Sequence, residues 1–304
     1  MTKFIAKKKY NIPIIKIIII ILSYIVLKYI YTNIKLTNNE KEFIDLISKD
    51  STYANLYKIN ETNILNKIFK NFLKIDINNP INMLKERFIY TSSKKENITK
   101  PSVNVEENPI IYIYSTHQKE EYDGTYLEEY NISPGVLMAS YILEKKLEQY
   151  GIATLVESTD IYKHMEQYGH TNAYSTTEQI TARILNKYPN LKLIIDLHRD
   201  SPTRNYTTTA INNKNYAKVM FVQGTNYLGY EQNKKIVEIL NNKLNKYYKT
   251  LSKGIYEKKD HFNQYLNNNM ILIEVGGYQN TIEEVTNTLD ALAHVIKEYI
   301  NEEN

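Results

Sequence analysis

The run Leu193-Ile194-Ile195-Asp196-Leu197-His198-Arg199-Asp200 constrains the fold more than any other stretch. From Leu191 to Leu197 the chain is mostly apolar and rich in Leu and Ile. That length and composition predict a strand buried on both faces of a parallel sheet. The run then passes into His198, Arg199 and Asp200, groups that do not belong deep in a core. Ligands of open α/β sheets sit outside the carboxyl ends of strands, so chemistry is expected there.

Two other stretches share this form. Ile110-Ile111-Tyr112-Ile113-Tyr114 runs into Ser115-Thr116-His117-Gln118-Lys119-Glu120, and Met270-Ile271-Leu272-Ile273 runs into Glu274-Val275-Gly276-Gly277. Three strands thus deliver His117 with Glu120, His198, and Glu274 to strand ends. Two imidazoles and a carboxylate are a common catalytic zinc ligand set, with a fourth position left for water. A further carboxylate can take a proton from that water. Glu121, Glu128 and Glu129 compete with Glu120 for the acidic ligand position. Asp196 or Asp200 can orient a ligand from behind. Arg199 can anchor a substrate carboxylate or hold Asp200. Gly276-Gly277 reads either as a tight turn or as room for backbone to approach a ligand. His261 is a secondary candidate. His164 and His170 lack strand-end placement, and His294 is expected on the surface of the last helix.

The chain has no cysteine, which excludes disulfides and thiolate metal sites. Imidazole and carboxylate are then the remaining zinc ligands. The net charge of +4 is concentrated at one end: residues 1–36 carry seven lysines and no acid, and subtracting them leaves about −3. A domain of that charge lacks the basic field of a nucleic-acid binder.

Residues 1–36 are expected to form a basic leader and a membrane anchor. Ile12 to about Tyr31 approaches the roughly 20 apolar residues that a span requires. Lys16 and Lys28 stand near its ends, where lysine reaches the headgroups. Tyr29, Tyr31 and Lys35 suit the far interface, and the preceding lysines predict a cytoplasmic N-terminus with the rest outside. Tyr29-Ile30-Tyr31-Thr32-Asn33 is too bulky for a signal-peptidase site, so the anchor is expected to remain uncleaved. Residues 37–104 contain no glycine. Apolar residues at helical spacing in Glu40–Ser48 and Ile64–Leu73 predict a helical membrane-proximal stalk, ending in a polar linker over Thr91–Pro109.

The domain expected over 105–304 alternates strand and helix. Strands are predicted at 110–115, 153–156, 191–197, 217–222 and 270–273. Helices are predicted from Ser133-Pro134 to Gly151, over Ser158–Tyr168, over Thr176–Lys187 with Ser175 or Thr176 as cap, over Tyr230–Tyr247 and over Thr281–Tyr299. Pro202–Lys214 reads as a polar excursion. This alternation implies an α/β domain whose mainly parallel sheet is flanked by helices.

Several blocks, taken together, resemble the stage II sporulation protein P family, relatives of the zinc N-acetylmuramoyl-L-alanine amidases. They are Tyr114-Ser115-Thr116-His117 with Glu120 and Tyr122, Ile195 to Asp200, Tyr216 to Val222, Leu251 to Ile255, Phe262-Asn263-Gln264, and Leu272 to Gly277 with Asn280-Thr281. The resemblance spans about 105–300. It implies a membrane-anchored enzyme outside the forming spore's membrane that degrades peptidoglycan during engulfment. The bonds cut would be the N-acetylmuramoyl-L-alanine amide and stem-peptide cross-links. Partners would be a membrane-anchored lytic transglycosylase and a scaffold protein. It assigns His117 and His198 to the metal site, Glu274 as catalytic glutamate and Glu120 as the acid after the first histidine. The chain departs from the family at Ser115, where a second histidine is usual, and at Tyr265 or Leu266, where an acid is usual. A zinc carboxypeptidase-like hydrolase also fits H-x-x-E followed by a distant His and Glu. An inactive, membrane-anchored wall-binding module is the reading from outside enzymology.

Overall fold

The computed structural model describes residues 21–29, 39–45, 108–123 and 133–302. The chain divides into two compact units, Met1–Asn38 and Asn39–Asn304. In the first, residues 21–29 are helical and exposed. The rest of the expected span lies outside the described residues. Among the described residues no helix is long and apolar enough to cross a membrane. Most of the expected stalk, with Glu128 and Glu129, also lies outside them.

The described part of 37–104 is a short helix at 40–45, whose Phe43 and Ile44 are buried in the main core of the second unit. Asp45 pairs there with Lys145 at 3.1 Å.

The strands of the second unit are β1 (Ile111–Tyr114), β2 (Thr154–Val156), β3 (Leu193–Asp200), β4 (Thr208–Ile211), β5 (Lys214–Ala217), β6 (Val219–Gly224), β7 (Ser252–Lys258) and β8 (Met270–Gly277). Its helices are α1 (Val136–Gln149), α2 (Ile161–Tyr168), α3 (Ala173–Lys187), α4 (Arg204–Thr207), α5 (Tyr230–Tyr247) and α6 (Ile282–Glu302). Six strands form one sheet in the order β2-β1-β3-β8-β6-β7. Adjacent strands are parallel except β6 and β8. The expected mixed α/β sheet flanked by helices is therefore present.

Side chains alternate between sheet faces with period two. Ile111, Ile113, Ile195, Leu197, Ile271 and Ile273 fall on one face and pack with the apolar stripes of α1, α5 and α6. Tyr112, Tyr114, Ile194 and Met270 fall on the other, against Ile184 and Leu185 of α3. The central strands are thus covered on both faces, which explains why they read as continuous apolar runs.

Several boundaries differ from expectation for local reasons. Pro134 precedes the N-cap Gly135 instead of opening α1, and α1 closes with Gly151 in the left-handed region (φ 75) as expected. α2 begins at Ile161 because the Asp160 carboxylate caps the Tyr162 and Lys163 amides. α3 begins at Ala173, since Asn172 rather than Ser175 or Thr176 is its cap. The polar excursion contains α4 and the β4–β5 hairpin. Its turn residues Asn212 and Asn213 both have positive φ (50° and 61°), the conformation a tight two-residue hairpin requires. The strand expected at 217–222 is displaced to Val219–Gly224. β7 was not anticipated; it is a partly exposed edge strand with little apolar signal.

Candidate active site

In the β3–β8 ladder Asp196 lies beside Leu272 and His198 beside Glu274. All four project from the face covered by α3. The strand extends three residues further than the apolar pattern suggested, so His198, Arg199 and Asp200 lie within β3 instead of following it. His198 is only 3% exposed. It is tolerated at that depth because acids surround it.

His198 Nδ1 is 3.8 Å from Glu120 Oε2. Its Nε2 is 2.9 Å from Asp196 Oδ1, ion-pair distance without the alignment of a hydrogen bond. The His117 ring stands edge-on to it, with centroids 5.3 Å apart. Burial works against a charge on His198. Asp196, Glu274 and Glu120 outweigh that cost and raise its pKa to about 9. Burial and neighbouring His198 lower the pKa of His117.

Asp196 is itself buried and held from behind. It accepts the Thr116 amide at 2.9 Å and the Thr116 hydroxyl at 2.7 Å. Thr116 Oγ1 is 3.2 Å from Thr177 Oγ1 on α3. The His117 loop is braced at both ends. Gln118 bonds the Thr159 carbonyl and the Ile161 amide at the start of α2. The Val136 amide of α1 donates to the Glu120 carbonyl at 3.0 Å. A Cβ on Gly135 would stand 2.9 Å from that carbonyl, so a side chain there would push the loop off α1.

Arg199 ties this loop to β3. Its backbone N–H donates to Glu120 Oε2 at 3.1 Å and its Nε to the Glu121 carbonyl at 2.7 Å. It reaches the backbone oxygen of Asp200, not the carboxylate. The Asp200 carboxylate faces Lys253 and the Ser201 amide, so Asp196 is the acid behind His198. Glu121 points to solvent. Tyr122 is buried and donates its hydroxyl to the Val275 carbonyl at 3.0 Å, tying the loop to β8.

Glu274 is half-buried, and its Oε2 makes no hydrogen bond. Burial pushes its pKa up to about 7. His198 opposes the rise, while Glu120, Asp200 and Asp196 add to it. The glycines after it serve packing: a Cβ on Gly276 would meet Ala217 and Asn280, and one on Gly277 would collide with the Pro202 carbonyl.

His164 stacks on Tyr168 and His170 lies tilted beside them at the α2–α3 connection, with its Nδ1 2.7 Å from Thr176 Oγ1. His294 is not a surface group; it is half-buried against Tyr247 and Tyr248. His261 is exposed and packs on Tyr265. Thr116 and Thr177 escaped the sequence reading as supporting residues. The signal was present: Thr176, Thr177 and Thr181 put hydroxyls on the buried stripe of α3, where apolar side chains are usual.

The donor set suits a hard or borderline dication. Imidazole nitrogens and carboxylate oxygens are near one another, and carboxylates outnumber cations around His198 strongly enough to hold a proton on a buried ring. Among the described residues, no group of three His, Asp or Glu side chains is arranged to hold a metal ion, and Glu120 Oε2 takes the Arg199 amide.

This chain is 30% identical over 221 residues to stage II sporulation protein P of Bacillus subtilis (strain 168), covering 68% of this chain and 55% of that protein. The chain thus spans about half the length of that relative. Among solved structures, the CwlD amidase from Clostridioides difficile in complex with the GerS lipoprotein aligns with TM-score 0.43 at 11% identity, covering 63% of this chain and 97% of that one. The N-acetylmuramoyl-L-alanine amidase from Clostridium difficile 630 aligns with TM-score 0.41 at 18% identity, covering 64% and 96%. Scores this low say nothing about the chemistry of this chain. The family model described as stage II sporulation protein P matches residues 33–297, and the chain belongs to that family.

Proposed function

We propose that this protein is a zinc-dependent peptidoglycan hydrolase that cleaves the N-acetylmuramoyl-L-alanine amide, and stem-peptide cross-links as well, during engulfment in sporulation. The observation that carries the reading is Glu274. It is a half-buried carboxylate with an unspent oxygen, beside an imidazole in register, and it titrates near neutrality. A general base works best when its pKa is close to the operating pH.

His117, His198 and Glu120 would hold the zinc. When bound, the metal lowers the pKa of a water and polarises the scissile carbonyl. Asp196, fixed by Thr116, keeps the His198 ring in one orientation, with Nδ1 toward Glu120. Glu274 takes the proton of the attacking water at its free oxygen and returns it to the departing alanine nitrogen. Arg199 holds the Glu120–Glu121 backbone against β3.

In this reading the segment at 12–31 anchors the chain in the cell membrane and the sheet domain lies outside. Peptidoglycan is the substrate. A membrane-anchored lytic transglycosylase and a scaffold protein of the engulfment machinery are the partners, and nucleic acid is not one.

The test is product analysis on purified cell walls with the zinc-loaded full chain. New alanine amino termini on uncut glycan strands are expected. Release of single C-terminal residues would instead identify a carboxypeptidase. No release at full zinc occupancy would leave a binding module.

A further inference from the structure

Beside His117 lies a cleft of about 430 Å³ between the start of α3 and the turn at 260–265, within the usual size of small-molecule sites, about 300–1,000 Å³. Its wall is made by two consecutive residues in the left-handed region, Phe262 (φ 47) and Asn263 (φ 58). Asn adopts that conformation readily. For a bulky residue such as Phe it is an outlier, and strain of this kind collects at binding sites. The turn is anchored to α3: Asn263 Nδ2 donates to the Tyr174 carbonyl at 2.8 Å and to Thr177 Oγ1 at 3.2 Å.

The strained pair aligns aromatic rings along the cleft. Phe262 stands 6.1 Å from Tyr174, and Tyr174 in turn stands edge-on to His117 at 5.6 Å. His261 and Tyr265 pair at 5.1 Å and are exposed at the rim. The cleft therefore shares the Tyr174 wall with the candidate active site. Between the rings stand hydrogen-bonding groups, including the Glu178 carboxylate, which accepts from the Tyr265 hydroxyl at 2.6 Å. Asn263 is buried, and its Oδ1 accepts nothing from the protein.

We infer that this cleft is a subsite for the sugar part of the substrate, a neutral N-acetylhexosamine chain held with its C–H faces on Tyr174 and Tyr265. The inference rests on the peptidoglycan reading above, in which the scissile amide joins a sugar to a peptide. Charge decides between the two sides. The lining holds two carboxylates, Glu178 and Asp260, and no lysine or arginine. Nearby Lys258 is 4.0 Å from Asp260 and 5.3 Å from the centre of the Phe262 ring, at the Asp260 end of the lining and away from Glu178. A stem peptide, with its own carboxylates, would be repelled by Glu178. An uncharged sugar would not, and its hydroxyls can donate to that carboxylate.

The test is calorimetric titration of the full chain with the β-1,4-linked tetramer of N-acetylglucosamine. Saturable binding is expected. Tyr265→Ala and His261→Ala should each weaken it at least fivefold, with the urea midpoint unchanged. Absence of saturable tetramer binding, or equal binding by both variants, overturns the subsite. So does binding of a free stem peptide that Tyr265→Ala abolishes. Hydrolysis plays no part in this readout. Tetramer binding lost in the variants, in a chain that leaves cell walls intact, supports the subsite while the hydrolase reading fails. Wall digestion by a chain indifferent to the tetramer does the reverse.

Discussion

His198 and Glu274 are in-register neighbours on the parallel strands β3 and β8 and project from the same sheet face. Each sets the other's charge. The carboxylates help raise the imidazole to about 9, and the imidazole restrains a Glu274 pKa that burial has pushed to about 7. A buried pair with displaced pKa values is what acid–base chemistry near neutral pH needs, and the predictions start from it.

On the hydrolase reading, Glu274→Gln should reduce wall-degrading activity by about 10²–10⁴-fold without loss of bound zinc. Thermal unfolding should be unchanged or shifted upward, because the substitution removes a carboxylate that burial penalises. Wild-type digestion of purified walls by this variant would refute the assignment of a base.

The same group sets a pH dependence. Glu274 must be ionised to accept a proton, and its folded pKa is raised to about 7. The rate parameter kcat/KM should therefore fall on the acid side, as Glu274 takes up a proton, and level off at higher pH. A profile flat from pH 5 to 8 would contradict this.

Asp196→Asn should weaken zinc binding by about 10–100-fold, the usual effect of losing a carboxylate behind a ligand histidine. The fold should survive, since the amide oxygen can still accept from Thr116. Chelator competition measures the affinity without reference to turnover. Affinity equal to wild type would mean that Asp196 does not orient His198.

Away from the site, Glu144 on α1 is buried and its pKa is raised from 4.5 to about 7, chiefly by desolvation. A carboxyl whose folded pKa exceeds its unfolded pKa binds protons more tightly in the native state. Stability is therefore greatest below about 4.5 and falls as pH rises to about 7, by roughly 2–3 kcal/mol for this group. Glu144→Gln should raise the urea midpoint at pH 8 and leave it unchanged at pH 4.5. Equal shifts at both values would rule out the carboxyl as the cause.

The three central strands and the polar residues at their ends were legible because a strand buried on both faces must be apolar throughout. His117, His198 and Glu274 stood out as interruptions of that rule. β7 was not legible, since an edge strand half in water needs no such run. The β4–β5 hairpin had a signal, Asn212-Asn213, that a reading for apolar periodicity passes over. The start of α3 was misplaced by three residues because Asn172, not a nearby Ser or Thr, supplies the cap oxygen.

By itself the sequence determined the layered α/β class and the residue types at the strand ends, because both follow from local pattern: apolar runs, helical stripes and chain alternation. It did not determine which acid stands behind His198, or that Arg199 holds the loop backbone and leaves Asp200 to Lys253. Nor did it reveal that Thr177 and Asn263 join α3 and the 262–263 turn to the Thr116–Asp196 pair. Those facts depend on strand register and on contacts between residues 60 to 90 positions apart. Only the closed tertiary structure brings such groups within hydrogen-bond reach, and only there does burial move Glu274 toward neutrality.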